Sequence, residues 1–118
     1  MEDLLISVLQ MCFQYPVIRQ GSLLKDEPYP DHFFTFWNNS ADGYGFYDDD
    51  ETQILYEYDV NFYSIDQEMV YTVLRQAKKI LKENGFEVWG DAHDVMSDEQ
   101  THDGRGITVS YLKYLKEE

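Results

Sequence analysis

The sequence predicts an α+β fold: a single layer of about four β-strands with two helices packed on one face, in the order α-β-β-α-β-β. Three observations predict it. Two segments carry apolar residues at the spacing of a helix. Four short segments are aromatic or alternate between apolar and polar residues, as strands do. The clearest of these strands is mostly polar along its second face, which is typical of a sheet covered on one side only.

The first helix is predicted over residues 2–14, where apolar side chains recur at helical spacing. Glu2 and Asp3 stand in its first turn, where negative charge suits the helix dipole. Pro16 ends the helix or follows its end closely. Cys12 belongs to the apolar pattern and is expected to be a small core residue. Because it is the sole cysteine, an intrachain disulfide and a cysteine-built zinc site are excluded.

A connector is predicted from Val17 to His32, followed by a short aromatic strand at residues 33–38. An acidic stretch at residues 40–52 then leads to a strand at residues 53–64. In this second strand Ile54, Tyr56, Tyr58, Val60 and Phe62 share one face, and Glu57, Asp59 and Asn61 share the other.

The second helix, over residues 66–84, has the strongest local signals. Asp66 is a good N-cap, and Gly85 can take the positive φ that closes a helix. An apolar stripe runs along it and consists of Met69, Val70, Val73, Leu74, Ala77, Ile80 and Leu81. Strands are predicted at residues 86–90 and 106–114. The segment between them, residues 91–104, is predicted to be a second acidic loop.

The chain of 118 residues is expected to form one domain, residues 1–118, with enough apolar residues (43%) for one core. The net charge of −14 gives a surface that repels phosphate, which disfavours direct binding to nucleic acid. No apolar run approaches the roughly 20 residues of a membrane span. The N-terminus has no basic segment of the kind that begins a signal peptide. These features predict a soluble intracellular protein.

The sequence contains no recognisable catalytic or metal-binding motif. Asn38, Ser40, Asp42, Gly43 and Asp49 match part of a calcium-loop pattern, but the flanks read as strands rather than helices. Scattered surface positions are expected for the three histidines, His32, His93 and His102. The phosphate-cradling and nucleophile motifs are missing as well. We therefore expect no enzyme activity, no cofactor and no dedicated metal site.

Two other function classes stay open. A small acidic protein can mimic DNA and inhibit a nucleic-acid-binding enzyme, which would require carboxylates in a regular line along one face. A metal-dependent hydrolase could be built from His93, Asp94, His102 and Asp103. Metal analysis of the purified protein separates the second alternative from the rest.

Two long runs carry a resemblance: NNSADGYGFYDDDETQILYEYDVNFYSIDQEMVYTVLRQAKKILKENGFEV and HDVMSDEQTHDGRGITVSYLKY. They resemble small tail-completion proteins encoded in prophages of Gram-positive bacteria, which are similar to the tail terminators of long-tailed phages. The resemblance covers about residues 30–114. Its most specific parts are the strand end at 60–63, the helix at 70–85 and the arm at 101–111.

The resemblance implies a structural virion protein without catalytic residues. Such proteins form a ring, usually a hexamer, that stops growth of the tail tube and offers a surface to the head connector. The implied partners are other copies of the chain, the tail tube and the connector, with no sequence-specific nucleic acid and no membrane. The implied location is the host bacterial cytoplasm during assembly and then the tail or neck of the virion.

The two acidic loops are the predicted sites of assembly contacts, because their length exceeds what a hairpin needs. The candidate contact residues are Asp48, Asp49, Asp50, Glu51, Asp98, Glu99 and Arg105. Arg105 is the candidate cationic partner for a carboxylate of a neighbouring subunit.

Overall fold

The computed structural model describes residues 2–19, 29–44, 53–97 and 101–114. They contain two helices and five strands, in the order α1 (Glu2–Cys12), β1 (Val17–Arg19), β2 (His32–Tyr44), β3 (Gln53–Ser64), α2 (Gln67–Glu83), β4 (Glu87–Val95) and β5 (Asp103–Tyr114). The strands form one sheet in the order β1-β2-β3-β5-β4. The α+β class is confirmed, but the described part of the sheet has five strands rather than about four, and the order is α-β-β-β-α-β-β.

Both helices pack on the same face of the sheet. From β3, Tyr58, Val60 and Phe62 turn to this face and are buried, as their alternation predicts. The helices and the neighbouring strands complete one apolar core, which includes Leu5, Val8, Leu9, Phe34, Phe36, Leu74, Ala77, Leu81, Ile107 and Val109. The side chain of Cys12, predicted to join this core, lies outside the described part of the structure.

Helix α2 has the predicted caps. Asp66 precedes its first turn in an extended conformation, and its Oδ1 accepts a hydrogen bond of 3.0 Å from the backbone N–H of Glu68. Gly85 follows the last turn with φ of 94°. The stripe that packs on the sheet is buried at Val70, Val73, Leu74, Ala77 and Leu81.

Strand β1 was not predicted: Val17–Arg19 was expected to be part of a connector, and this expectation is wrong. It pairs in parallel with β2, with Val17 beside Phe34. The pairing begins at Pro16, whose carbonyl accepts a 2.9 Å hydrogen bond from the N–H of Phe34. Three residues are too few to show an alternating pattern, so only their pairing with a distant strand makes them recognisable.

Strand β3 has the predicted bounds, whereas β2, β4 and β5 are longer than predicted and take up parts of both predicted acidic loops. Strand β2 continues to Tyr44, which lies opposite Gln53, so β2 and β3 form the predicted hairpin. Strand β4 runs to Val95 instead of ending at residue 90, and β5 begins at Asp103 instead of residue 106. Gly90, with φ of 65°, stands where the register of β4 shifts. This irregularity explains why β4 looked like a short strand followed by a loop.

Candidate interaction surface

The sheet face opposite the helices is lined by polar and aromatic side chains. We call this surface the open face; its residues are Thr35, Trp37, Glu57, Asp59, Asn61, Glu87, Trp89, Thr108 and Ser110. Because side chains alternate along a strand, these residues point away from the apolar core. None of the described helices covers them.

One row of the open face crosses four strands. Trp37 lies opposite Asp59, Asp59 opposite Thr108, and Thr108 opposite Trp89. The Thr108 hydroxyl donates a 3.0 Å hydrogen bond to Asp59 Oδ1. Trp37 and Trp89, at the two ends, are 47% and 54% exposed, respectively. The row therefore offers two half-exposed apolar rings with a carboxylate between them.

The next row adds negative charge. Ser110 lies between Glu57 and Glu87 on the neighbouring strands. Its hydroxyl accepts a 2.8 Å hydrogen bond from Nε1 of Trp89, which fixes the ring against the sheet. A cation stands at the far edge, where the guanidinium of Arg19 lies 5.8 Å from the ring centre of Trp37. Among the described residues, the open face is thus acidic at its centre and carries a cation at the β1 edge.

A histidine borders the open face at the end of the sheet where β5 begins. His102 is only 8% exposed, although a surface position was predicted for it. Its Nε2 donates a 2.8 Å hydrogen bond to the carbonyl of Pro30, and its ring packs edge-on against Phe33 at 5.8 Å. His102 therefore tethers the segment before β2 to the start of β5. A buried histidine in an acidic segment carries no local pattern that could have identified it.

Arg105 points to the helix side of the sheet and is engaged within its own chain. Its Nη1 donates to Asp94 Oδ1 at 2.7 Å, and its Nη2 donates to the carbonyl of Ala92 at 2.8 Å. The guanidinium also lies 4.7 Å from the ring centre of Tyr71 on α2. This cluster borders a groove of about 350 Å³ that includes Met96. A contact of Arg105 with a neighbouring subunit stays a prediction. In the structure Arg105 contacts Asp94, Ala92 and Tyr71 of its own chain.

The other predicted contact residues, Asp48, Asp49, Asp50, Glu51, Asp98 and Glu99, lie outside the described residues. The calcium-loop pattern falls partly on described residues. Asn38, Asp42 and Gly43 are paired with β3, so this part of the pattern is strand and not a metal-binding loop. Across the described ranges no three His, Cys, Asp or Glu side chains are grouped to hold a metal ion.

A histidine–serine pair is the nearest approach to a catalytic arrangement in the described residues. His32 Nδ1 lies 2.8 Å from Ser64 Oγ, which also accepts a 2.9 Å hydrogen bond from the N–H of Asp66. Ser64 is fully buried, so a substrate has no access to its hydroxyl. The pair joins the start of β2 to the turn before α2. Its geometry is that of a structural tether.

Helix α2 presents a second charged surface. Arg75, Lys78, Lys79 and Lys82 account for four of the nine Lys and Arg residues of the chain. We call them the basic stripe. Arg75, Lys79 and Lys82 are exposed on the side of α2 that points away from the sheet. Within the described ranges no ion pair holds any of the four. The basic stripe is a cationic patch on an otherwise acidic protein.

Neither described helix is long and apolar enough to cross a membrane. Comparison with protein-family models and with curated proteins finds no match to this chain.

Proposed function

We propose that this protein is a structural subunit of a phage or prophage tail, a tail terminator or tail-completion protein that forms a ring at the head–tail junction. The proposal begins from the resemblance of residues 30–114 to such proteins. In this role the chain works by contact with other copies of itself, with the tail tube and with the head connector. It needs no catalytic residue and no cofactor.

The observation that carries the proposal is the open face. A sheet with helices on one side and half-exposed Trp37 and Trp89 on the other supports a role in protein–protein contact, because tryptophan is enriched in interfaces. The hydrogen bonds of Trp89 to Ser110 and of Thr108 to Asp59 hold the polar groups of this surface in place. Side chains that are already held by hydrogen bonds lose little conformational entropy when a partner covers them.

The charge of the chain supports the same role. A ring through which DNA passes should not grip phosphate, and a subunit with net charge −14 repels it. The buried position of Ser64, next to His32, favours a structural over a catalytic role for that pair.

The test is removal of the protein from a phage that encodes it, followed by electron microscopy of the lysate. We expect tails of abnormal length and heads that are not joined to tails. Supplying the intact chain from a plasmid should restore joined particles. A matched control supplies a chain with Leu74→Pro, which should not fold because proline breaks the interior of α2.

Joined particles with tails of normal length in the absence of the protein would contradict the proposal. So would a purified chain that inhibits a DNA-binding enzyme without any effect on tails, since that result belongs to a DNA mimic.

A further inference from the structure

We propose that copies of this chain associate head to tail, with the open face of one copy packed against the basic stripe of α2 in the next. This inference rests on the self-assembly in the proposed function and names the two surfaces that carry it. The occupant of the open face is therefore a second copy of the same chain.

Charge complementarity is the first argument. The open face carries Glu57, Asp59 and Glu87. The basic stripe carries four cations without an ion pair among the described residues. Two copies of a chain with net charge −14 repel each other unless opposite charges meet at their contact. The basic stripe is the densest cluster of cations in the sequence, and three of its four members, Arg75, Lys79 and Lys82, are exposed.

The dimensions of the two surfaces also agree. Arg75 and Lys82 are seven residues apart on α2, which is about 10 Å at 1.5 Å per residue. Glu57 and Glu87 are separated by two strand spacings across the sheet, which is also about 10 Å. A helix laid across the strands can therefore bring both cations to both carboxylates.

The aromatic rings supply apolar area at the same place. Trp37 and Trp89 stand at the two ends of the row that contains Asp59, and each is about half exposed. The long aliphatic parts of Lys and Arg side chains pack well on such rings while their charged ends reach carboxylates. The contact thus combines apolar burial with ion pairs.

The placement of the two surfaces allows repeated contacts between copies. The basic stripe lies on one side of the molecule and the open face on the other, so each copy offers both halves of the contact. A contact between two different surfaces is heterologous, and repeated heterologous contacts close into a ring when the rotation between copies allows it. The ring of the proposed function needs a contact of this kind.

The first test is Glu57→Lys, with the mass of the assemblies measured by light scattering after chromatography. This change makes the chain less acidic, so general repulsion predicts stronger association. The proposed contact predicts the reverse, a dissociation constant raised about tenfold or more, because like charges then meet. Asp3→Lys on α1 is the matched control and should leave association at least as strong as in the wild type. Unchanged or stronger association of Glu57→Lys overturns the proposal.

The second test mixes two variants that each fail to assemble. Lys79→Glu should also weaken association. In a mixture of Glu57→Lys with Lys79→Glu, the intact stripe of the first meets the intact open face of the second, and the exchanged charges attract each other at the alternate contact. Assembly should therefore return in the mixture, and no return overturns the head-to-tail contact.

A third test works even when the assemblies are weak. A photo-crosslinking amino acid at position 79 should form intermolecular links to β3, β4 or β5 on the open face. Links elsewhere, or none at low salt, overturn the inference. Defective tails together with links to another surface would leave the proposed function standing without this contact. Links to the open face, together with normal tails when the protein is removed, would support the contact between copies and contradict the proposed function.

Discussion

At the start of β5, successive residues point to opposite faces of the sheet and meet different constraints on each face. Gly104 and Gly106 point to the same side as Tyr63 and Asn61, whose side chains lie across β5 at these positions. A Cβ at Gly104 would stand 2.6 Å from a ring atom of Tyr63. Arg105, between the two glycines, points to the helix side and contacts Asp94 and Tyr71. The Gly-Arg-Gly sequence is therefore explained by packing on both faces.

The replacement Gly106→Ala should destabilise the protein by about 1–3 kcal/mol, because the new methyl group would collide with the carboxamide of Asn61. Urea unfolding followed by circular dichroism measures the change. In a background with Asn61→Ala the same replacement should cost less, since the colliding group is gone. Equal costs in both backgrounds would show that the close approach to Asn61 is not the reason for glycine.

The core makes a second prediction at the scale of the residue. Leu74→Ala should lower the free energy of unfolding by about 2–5 kcal/mol, because Leu74 is almost completely buried between α2 and the sheet. Gln76→Ala, at an exposed position of the same helix, is the control and should change stability by no more than about 0.5 kcal/mol. Near-wild-type stability of Leu74→Ala would contradict the packing of α2.

Among the elements, α2 packs against four others. It contacts α1 and the three strands β3, β4 and β5, and its outer side carries the basic stripe. Its start is positioned by two hydrogen bonds of Ser64 Oγ, one shared with His32 Nδ1 and one accepted from the N–H of Asp66. The N-terminal turn of α2 is thereby tied to both β2 and β3.

The cap of α2 gives a prediction at this scale. Asp66→Ala should cost about 0.5–2 kcal/mol of stability, because the N–H of Glu68 loses its acceptor and the helix dipole loses a negative charge. Thermal unfolding by circular dichroism tests it. Gln76→Ala, at an exposed position in the middle of the helix, serves as the control and should be neutral or slightly stabilising. A variant at position 66 as stable as the control would mean that the cap contributes nothing.

At the scale of the whole molecule, the distribution of charge is the feature that matters for assembly. The acidic stretch at residues 40–52 contains Asp48, Asp49 and Asp50, which lie outside the described residues. Residues 40–44 of this stretch belong to β2 and pair with β3, with Tyr44 opposite Gln53.

The joint replacement of Asp48, Asp49 and Asp50 with Ser tests the predicted role of this stretch. The monomer should keep its fold, because replacements in a connecting segment usually cost little. Completion of tails in a complementation assay should fall, since contacts through these carboxylates are lost. Glu83→Ser at the exposed end of α2 is the control. Tails of normal length with the triple variant would contradict a role of these carboxylates in assembly.

Prediction from the sequence was accurate where the signal was local. The ends of α2 follow from Asp66 and Gly85, and the buried face of β3 follows from its alternation. It was less accurate for the ends of β4, because the irregularity at Gly90 interrupts the pattern. For the candidate surface, the acidic residues of β3 were recognised as a polar face, but the row from Trp37 to Trp89 was not, because it joins four strands.

By itself the sequence determined the α+β class, the limits of α2, the apolar core and the acidic character of the chain. These depend on spacing within one segment or on composition, and both are visible along a single stretch. Only the tertiary structure decided that Val17–Arg19 is a strand, that His102 is buried, that Arg105 is held by Asp94, and that the two tryptophans lie in one row. Each of these depends on a partner from another part of the chain, and such a partner leaves no periodic trace in the residues it contacts.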